Sequence, residues 1–367
     1  MHMADALLSP QVGVGMYAAS VAAIAVATAK IKKDDFGESK VPLMAVSGAM
    51  VFAAQMINFT IPGTGSSGHI GGGILLAALL GPFAGLLTLA AVLVIQCLVF
   101  ADGGLLALGC NIFNMGVIPC LFIYPLLFRP ILSPSPTVKR IWIGSVAGVV
   151  ITLQLGAFGV VLETTGSGIA ALPFSAFLVL MQPIHLAIGV VEGIVTAAIL
   201  NFVYAARPDI LTTAAYGSAA PALANRRPAK SPNPGVAEAT SVSSIASGNK
   251  RTDSPKTVII VFACIAVILG VGISLFASAY PDGLEWSMER VAGTTELETG
   301  ESTVFSALAG VQERLSFMPD YDFADGEGAG TSAAGIIGAA LVFVIAGAAG
   351  LIIRAYKKHR RAKTALR

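Results

Sequence analysis

Apolar runs long enough to cross a bilayer recur along the 367-residue chain, near 10–29, 41–61, 70–101, 110–128, 141–162, 172–205, 257–279 and 333–353. A hydrocarbon layer of ~30 Å is spanned by about 20 such residues in an α-helix, the geometry that satisfies every backbone group within one segment. Hydrophobic residues make up 55 % of the chain and charged residues 12 %, against about 25 % charged in ordinary soluble domains. A conventional soluble core is therefore excluded. Glycine, at 40 residues, supplies the small contact surfaces that helix packing in lipid favours. The prediction is an all-α polytopic membrane protein.

The 70–101 stretch decides the topology. Its 32 residues reach about 48 Å as helix, too long for one upright crossing and too short for two full ones. Gly81-Pro82 interrupts it, which predicts a short or tilted helical hairpin. With the hairpin, the cationic segments at Arg129, Lys139, Arg140, Arg207, Arg226 and Arg227 all fall on the inner side, as the positive-inside rule requires. The expected count is a seven-element transmembrane core to about residue 206 and two further transmembrane helices. The N-terminus is placed outside and the C-terminus in the cytoplasm of a prokaryotic inner membrane. On this topology all but two of the 23 Lys and Arg, Arg290 and Arg314, lie inside. Fourteen of the 21 acids lie outside, including Asp5, Asp102 and Glu163. The first cations, Lys30, Lys32 and Lys33, follow the first apolar run, so that run is expected to span the membrane and not to be a signal peptide.

The expected modules are a transmembrane core at 1–206, a flexible cytoplasmic linker at 207–256, a two-helix module at 257–353 with an acidic external loop, and a basic tail at 354–367. The linker is rich in Pro, Ser, Ala and Asn without periodicity. The tail carries seven cations, suited to fixing topology and meeting anionic lipid. The four cysteines, scattered singly in apolar segments, are expected to be small core residues. Absence of GxxxxGK[ST] means the chain does not itself hydrolyse ATP. It is expected to be neither an enzyme nor a nucleic-acid binder, and to hold no cofactor.

Four histidines occur, His2, His69, His185 and His359, and the topology puts His2 and His69 on the same outer face. A bulky residue at position two is expected to leave Met1 in place. The Met1 amine and the His2 amide nitrogen then close a five-membered ring on a metal, and the amide with His2 Nδ1 closes a six-membered one. Three coplanar nitrogens suit Ni(II) or Cu(II), whose d-electrons favour square-planar geometry. A ring nitrogen of His69, in GTGSSGHIGGG, fills the open corner, the glycines permitting close approach to the N-terminus. The bland alternative is that His2 is an incidental solvated residue.

The opening MHMADALLSP, AAQMINFTIPGTGSSGHIGGG at 53–73 and DGGLLALGCNIFNMGVIP at 102–119 resemble, in this order, the nickel/cobalt substrate-binding components of energy-coupling-factor transporters, which open MHIPDGFLSP. PDGLEW at 281–286 resembles their small companion subunit, here fused in one chain. The resemblance implies a protein that captures Ni(II) or Co(II) outside and delivers it inward, driven by two cytoplasmic ATPase subunits through a transmembrane coupling protein. It implies metal ligation by Met1, His2 and His69. The departures at Met3 and Ala4-Asp5-Ala6 are expected to loosen the turn after the chelate.

Asn111 and Asn114 are candidates for orienting His69 or closing the site, with helix capping by Asn111 as the alternative. Gln55 and Asn58, on the helix leading to the His69 loop, raise the same question. His185 and Glu192 are seven apart in IHLAIGVVEGIVT, on one face of a helix, as part of an ion path or coupling element or as a packing pair. His185 is expected to lie too deep to join the His2 site. The acidic loop is a candidate for gathering cations, or simply a solvated face, and PDGLEW is a candidate lid. A metal sensor or scaffold, and a proton-coupled secondary transporter, remain alternatives. The last is disfavoured because Glu192 is the one carboxylate expected in a buried position. Between nickel and cobalt, nitrogen donors in a plane favour nickel.

Overall fold

The computed structural model describes residues 2–33, 40–133, 135–216, 256–295, 297, 303–323 and 330–365. In chain order, α1 (Pro10–Lys33) and α2 (Lys40–Gln55) lead into a hairpin of two short strands, β1 (Phe59–Ile61) and β2 (Ser66–Gly68), paired antiparallel. There follow α3 (Gly73–Leu80), α4 (Pro82–Phe100), α5 (Leu108–Leu132), α6 (Val138–Ser167), α7 (Phe174–Ala206) and α8 (Pro208–Tyr216). The C-terminal part holds α9 (Lys256–Val271), α10 (Gly283–Ala292), α11 (Thr303–Leu315) and α12 (Gly330–Ala365). Among the described residues six helices, α1, α4, α5, α6, α7 and α12, are long and apolar enough to cross a membrane, while α2 and α9 are apolar but shorter. The chain is a polytopic helical membrane protein.

The 70–101 stretch forms the expected hairpin, with unequal arms. Gly81, at φ 88°, reverses the chain and Pro82 opens α4, where its missing N–H costs nothing. At 1.5 Å per residue, the eight residues of α3 reach only about 12 Å. One expected crossing is thus a half-length helix, and the chain between β2 and α3 descends into the bundle as irregular backbone. Such backbone is tolerated at membrane depth only where protein satisfies its polar groups. Here Gln55 Nε2 donates to Gly71 O at 2.9 Å, and Gly72 N–H donates to Glu192 Oε1 at 2.9 Å. Gly68, Gly71, Gly72 and Gly73 of this stretch pack closely against α2, α5 and α7. Gly72, at φ 76°, would place a Cβ 2.6 Å from Val51 Cγ1.

Helices α9 and α12 both pack along α2, so nearly all of α2 is buried. Small residues permit these crossings: a Cβ on Gly338 would stand 1.9 Å from Phe52 Cζ. The expected linker also needs correction at its start. Residues 208–216 form α8, whose Leu211 is fully buried in the main apolar core, and Arg207 pairs with Asp209 at 2.6 Å. The Pro and Thr content hid a helix held by tertiary packing. The rest of the linker, 217–255, lies outside the described residues. The basic tail continues α12 as helix to Ala365.

Candidate metal centre

The segment before α1 folds inward. Met3, Leu7 and Leu8 are each fully buried, and burial of an apolar side chain of that size contributes roughly 1.5–3 kcal/mol. Asn111 in α5 grips the backbone of Met3 twice: Oδ1 accepts from Met3 N–H at 2.8 Å and Nδ2 donates to Met3 O at 3.3 Å. It does not cap its helix, which has no side-chain cap. Gly104 N–H donates to Met3 O at 2.8 Å, and Ala107 N–H donates to Asp5 Oδ1 at 2.9 Å. The turn expected to be loose is therefore pinned at both ends. Gly104 is required here, since a Cβ would stand 1.8 Å from Asp5 Oδ1.

This docking presents His2 to the loop after α4 and to the loop before α3. His2 Nδ1 lies 2.8 Å from Asp102 Oδ1, and its side chain is only 6 % exposed. Its Nε2 is buried without a hydrogen-bond partner among the described residues. The His2 and His69 rings meet edge to face, centroids 5.1 Å apart. Desolvation lowers the His69 pKa to about 3, so at neutral pH its ring is uncharged and offers a lone pair. Burial acts to raise Asp102, but the charge and hydrogen bond of the His2 imidazole and the bond from the Tyr321 hydroxyl outweigh it and hold the carboxyl at about 2. Met1 lies outside the described residues. Among the described residues no three His, Cys, Asp or Glu side chains form a ready metal cage.

The C-terminal module touches both loops. PDGLE is a capping box: Asp282 Oδ1 accepts from Leu284 N–H and Glu285 N–H, while Glu285 Oε2 accepts from Asp282 N–H. That cap fixes the chain over the His69 loop, where Pro281 O accepts from Ser67 N–H at 2.8 Å, Tyr280 O accepts from Ser67 Oγ at 2.8 Å and Trp286 Nε1 donates to Thr64 O at 3.0 Å. Asp282 and His69 line one cavity. On the other side, Tyr321 donates to Asp102 Oδ2 and Gln312 Nε2 donates to Gly103 O at 2.8 Å. Asp102, Asp282 and Tyr321 were not singled out as site residues in the sequence. For Asp282 the signal was present in the D-x-x-E capping pattern; for Asp102 it lay in the two glycines that follow it.

The other candidates separate. Asn58 meets the C-terminal module through its backbone, its carbonyl accepting from Ser278 N–H at 2.7 Å. Gln55 and Glu192 hold the His69 loop as described. Asn114 Nδ2 donates to Glu163 Oε2 at 2.8 Å. Glu163, counted outside from sequence, is buried at 9 % exposure and so adds a second buried carboxylate to Glu192. His185, expected to lie apart by depth, lines the same cavity as His69, and its imidazole packs under Gly283 of the PDGLE turn.

Two imidazoles edge to face, beside carboxylates where loops of an apolar helical bundle meet, define the class: a polytopic membrane protein with a polar pocket built on its N-terminal segment. The chain belongs to the family described as the cobalt uptake substrate-specific transmembrane region, which matches residues 2–210. Residues 256–355 match a PDGLE domain, so the companion part is fused to the metal-uptake region. A protein of Archaeoglobus fulgidus, named as a fused nickel transport protein, is 35 % identical over 218 residues, covering 58 % of this chain and 68 % of its own. A protein named for metal transport in Haloquadratum walsbyi is 36 % identical over 215 residues, 58 % of this chain and 94 % of its own. A crystallised transition metal transporter is 31 % identical, covering 56 % of this chain and 93 % of its own, with a TM-score of 0.49.

Proposed function

We propose that this chain is the substrate-specific membrane component of an ATP-driven transition-metal importer, binding Ni(II), with Co(II) the second choice, at the extracytoplasmic face. The observation that carries the reading is the meeting of His2 and His69, 67 positions apart in the sequence, at 5.1 Å beside the Asp102 carboxylate. The Met1 amine, the His2 amide, His2 Nδ1 and a His69 ring nitrogen are the four donors. Their planar nitrogen field favours nickel, in line with the name of the Archaeoglobus relative.

In the conformation described, Nδ1 faces Asp102. Turning the ring about Cβ–Cγ frees Nδ1 for the metal and carries Nε2 toward Asp102, whose carboxylate then accepts the Nε2–H. A carboxylate on the second nitrogen of a metal-bound histidine fixes its orientation. Asp102→Asn is accordingly expected to lower Ni(II) affinity about 10–100-fold, measured by equilibrium dialysis of protein in lipid nanodiscs. Unchanged affinity contradicts the assigned role.

Energy comes from partner ATPase subunits acting through a transmembrane coupling protein, and the PDGLE turn covers the loaded pocket. The test is uptake of radiolabelled nickel by cells carrying the full system, with cobalt as competitor. Uptake is expected only when the ATPases are present. A proton-coupled secondary transporter, which the second buried carboxylate Glu163 makes a specific alternative, predicts uptake that survives ATPase deletion and collapses with the proton gradient. A sensor or scaffold predicts binding without uptake.

A further inference from the structure

Below the histidine pocket lies a chamber with a one-sided chemistry. A cavity of about 30 Å³ runs from His69 and Asp282 down between α5, α6 and α7, and its polar lining includes Asn114, Thr152, His185 and Glu192. All four are buried, at 2 %, 9 %, 1 % and 2 % exposure, and each leaves a polar atom without a hydrogen-bond partner: Asn114 Oδ1, Thr152 Oγ1, His185 Nε2 and Glu192 Oε2. Two of these atoms are acceptors by necessity. Asn114 donates its amide to Glu163 and so keeps its carbonyl oxygen. His185 Nδ1 lies 2.8 Å from Met181 O, and a carbonyl only accepts, so Nδ1 carries the proton and Nε2 bears a lone pair. Glu192 uses Oε1 for Gly72 N–H, leaving Oε2, which accepts when the carboxyl is ionised. The Thr152 hydroxyl both donates and accepts.

Buried polar atoms left unpaired are costly, and a divalent cation that draws Glu192 into its ionised form satisfies Asn114 Oδ1, Thr152 Oγ1, His185 Nε2 and Glu192 Oε2 together. We infer that this chamber is a second, inner cation site, taking the transported divalent metal ion in partly hydrated form after it leaves the histidine pocket. The inference rests on the transport reading above. His185 and Glu192 are seven residues apart on α7, a step of about 10 Å along the helix, so the two mark an upper and a lower position in one passage. At about 30 Å³, against about 10–15 Å³ for one water on the same measure, the space takes the ion with roughly one retained water. Oxygen donors with one carboxylate hold it more weakly than four nitrogens, as a site that must also release requires.

The test uses the full chain in lipid nanodiscs, dialysed against graded CoCl2 and followed by cobalt X-ray absorption, with His2→Ala, Glu192→Gln and Thr152→Val as variants. Glu192→Gln keeps an oxygen for Gly72 N–H and removes the charge. The expected result is two classes of bound cobalt: a tight nitrogen-rich class lost in His2→Ala, and a weaker oxygen-rich class weakened at least tenfold in Glu192→Gln and less in Thr152→Val. An oxygen-rich class unchanged in both Glu192→Gln and Thr152→Val overturns the inner site. So does a Glu192→Gln effect confined to the tight class, which would make the carboxylate a strut for the His69 loop. Failure of the outer reading has a different signature, survival of the tight class in His2→Ala.

Discussion

His2→Ala is expected to weaken Ni(II) binding by more than about 100-fold, because removal of a direct ligand exceeds the 10–100-fold that loss of an outer-shell partner already costs. The substitution removes the six-membered chelate ring and the imidazole that faces His69 across 5.1 Å. It leaves the anchoring of the segment intact, since Met3, Leu7 and Leu8 stay buried and Asn111 still holds Met3. The variant should therefore stay folded, with a lowered unfolding midpoint because Asp102 loses its His2 partner, and lose the rise in midpoint that metal gives. That rise corresponds to about 2.7 kcal/mol when free metal is 100 times Kd. Affinity equal to the parent protein would show that His2 is not a ligand and serves only to pair with Asp102.

Gly104→Ala is expected to abolish tight binding while leaving every proposed donor in place. A Cβ at this position would stand 1.8 Å from Asp5 Oδ1 and 2.4 Å from Asp5 N, and the backbone atom has no rotamer by which to move away. Overpacking of this kind costs typically 1–3 kcal/mol or more. The strain is relieved by expelling the N-terminal segment, which separates His2 from His69. Both a lower unfolding midpoint and loss of metal-induced stabilisation should follow. Gly15→Ala, in α1 where a Cβ meets nothing within 4 Å, is the control and should leave metal affinity unchanged. Parent-like binding by Gly104→Ala would mean that the docked segment is not what positions the site.

Much of this arrangement was legible in the sequence because the bilayer imposes a length on each apolar run, and charge parity then fixes which loops share a face. That logic put His2 and His69 together without any contact information. The reversal at Gly81-Pro82 was equally plain, since proline opens a helix and glycine allows φ 88°. What stayed hidden were relations that depend on packing. Asp102 follows α4, a hundred residues from His2, and only the docking of the N-terminal segment makes it a partner. Glu163 looks like an outer acid from its place near the end of a helix, yet Asn114 on a neighbouring helix binds it within the bundle. The shortness of the hairpin was legible from its 32 residues, but not that its first arm starts only at Gly73, which leaves a loop deep enough for Glu192 to reach Gly72.

The most direct test is the coordination of nickel in the loaded protein, by a crystal structure of the full chain grown with Ni(II) and nickel-edge absorption of the same sample. The account predicts four nitrogens in a plane, from the Met1 amine, the His2 amide, His2 Nδ1 and His69, with Asp102 on the far nitrogen of the His2 ring. A tight-binding ion held without His2 and His69, or a first shell of oxygen or sulfur at that ion, would contradict it.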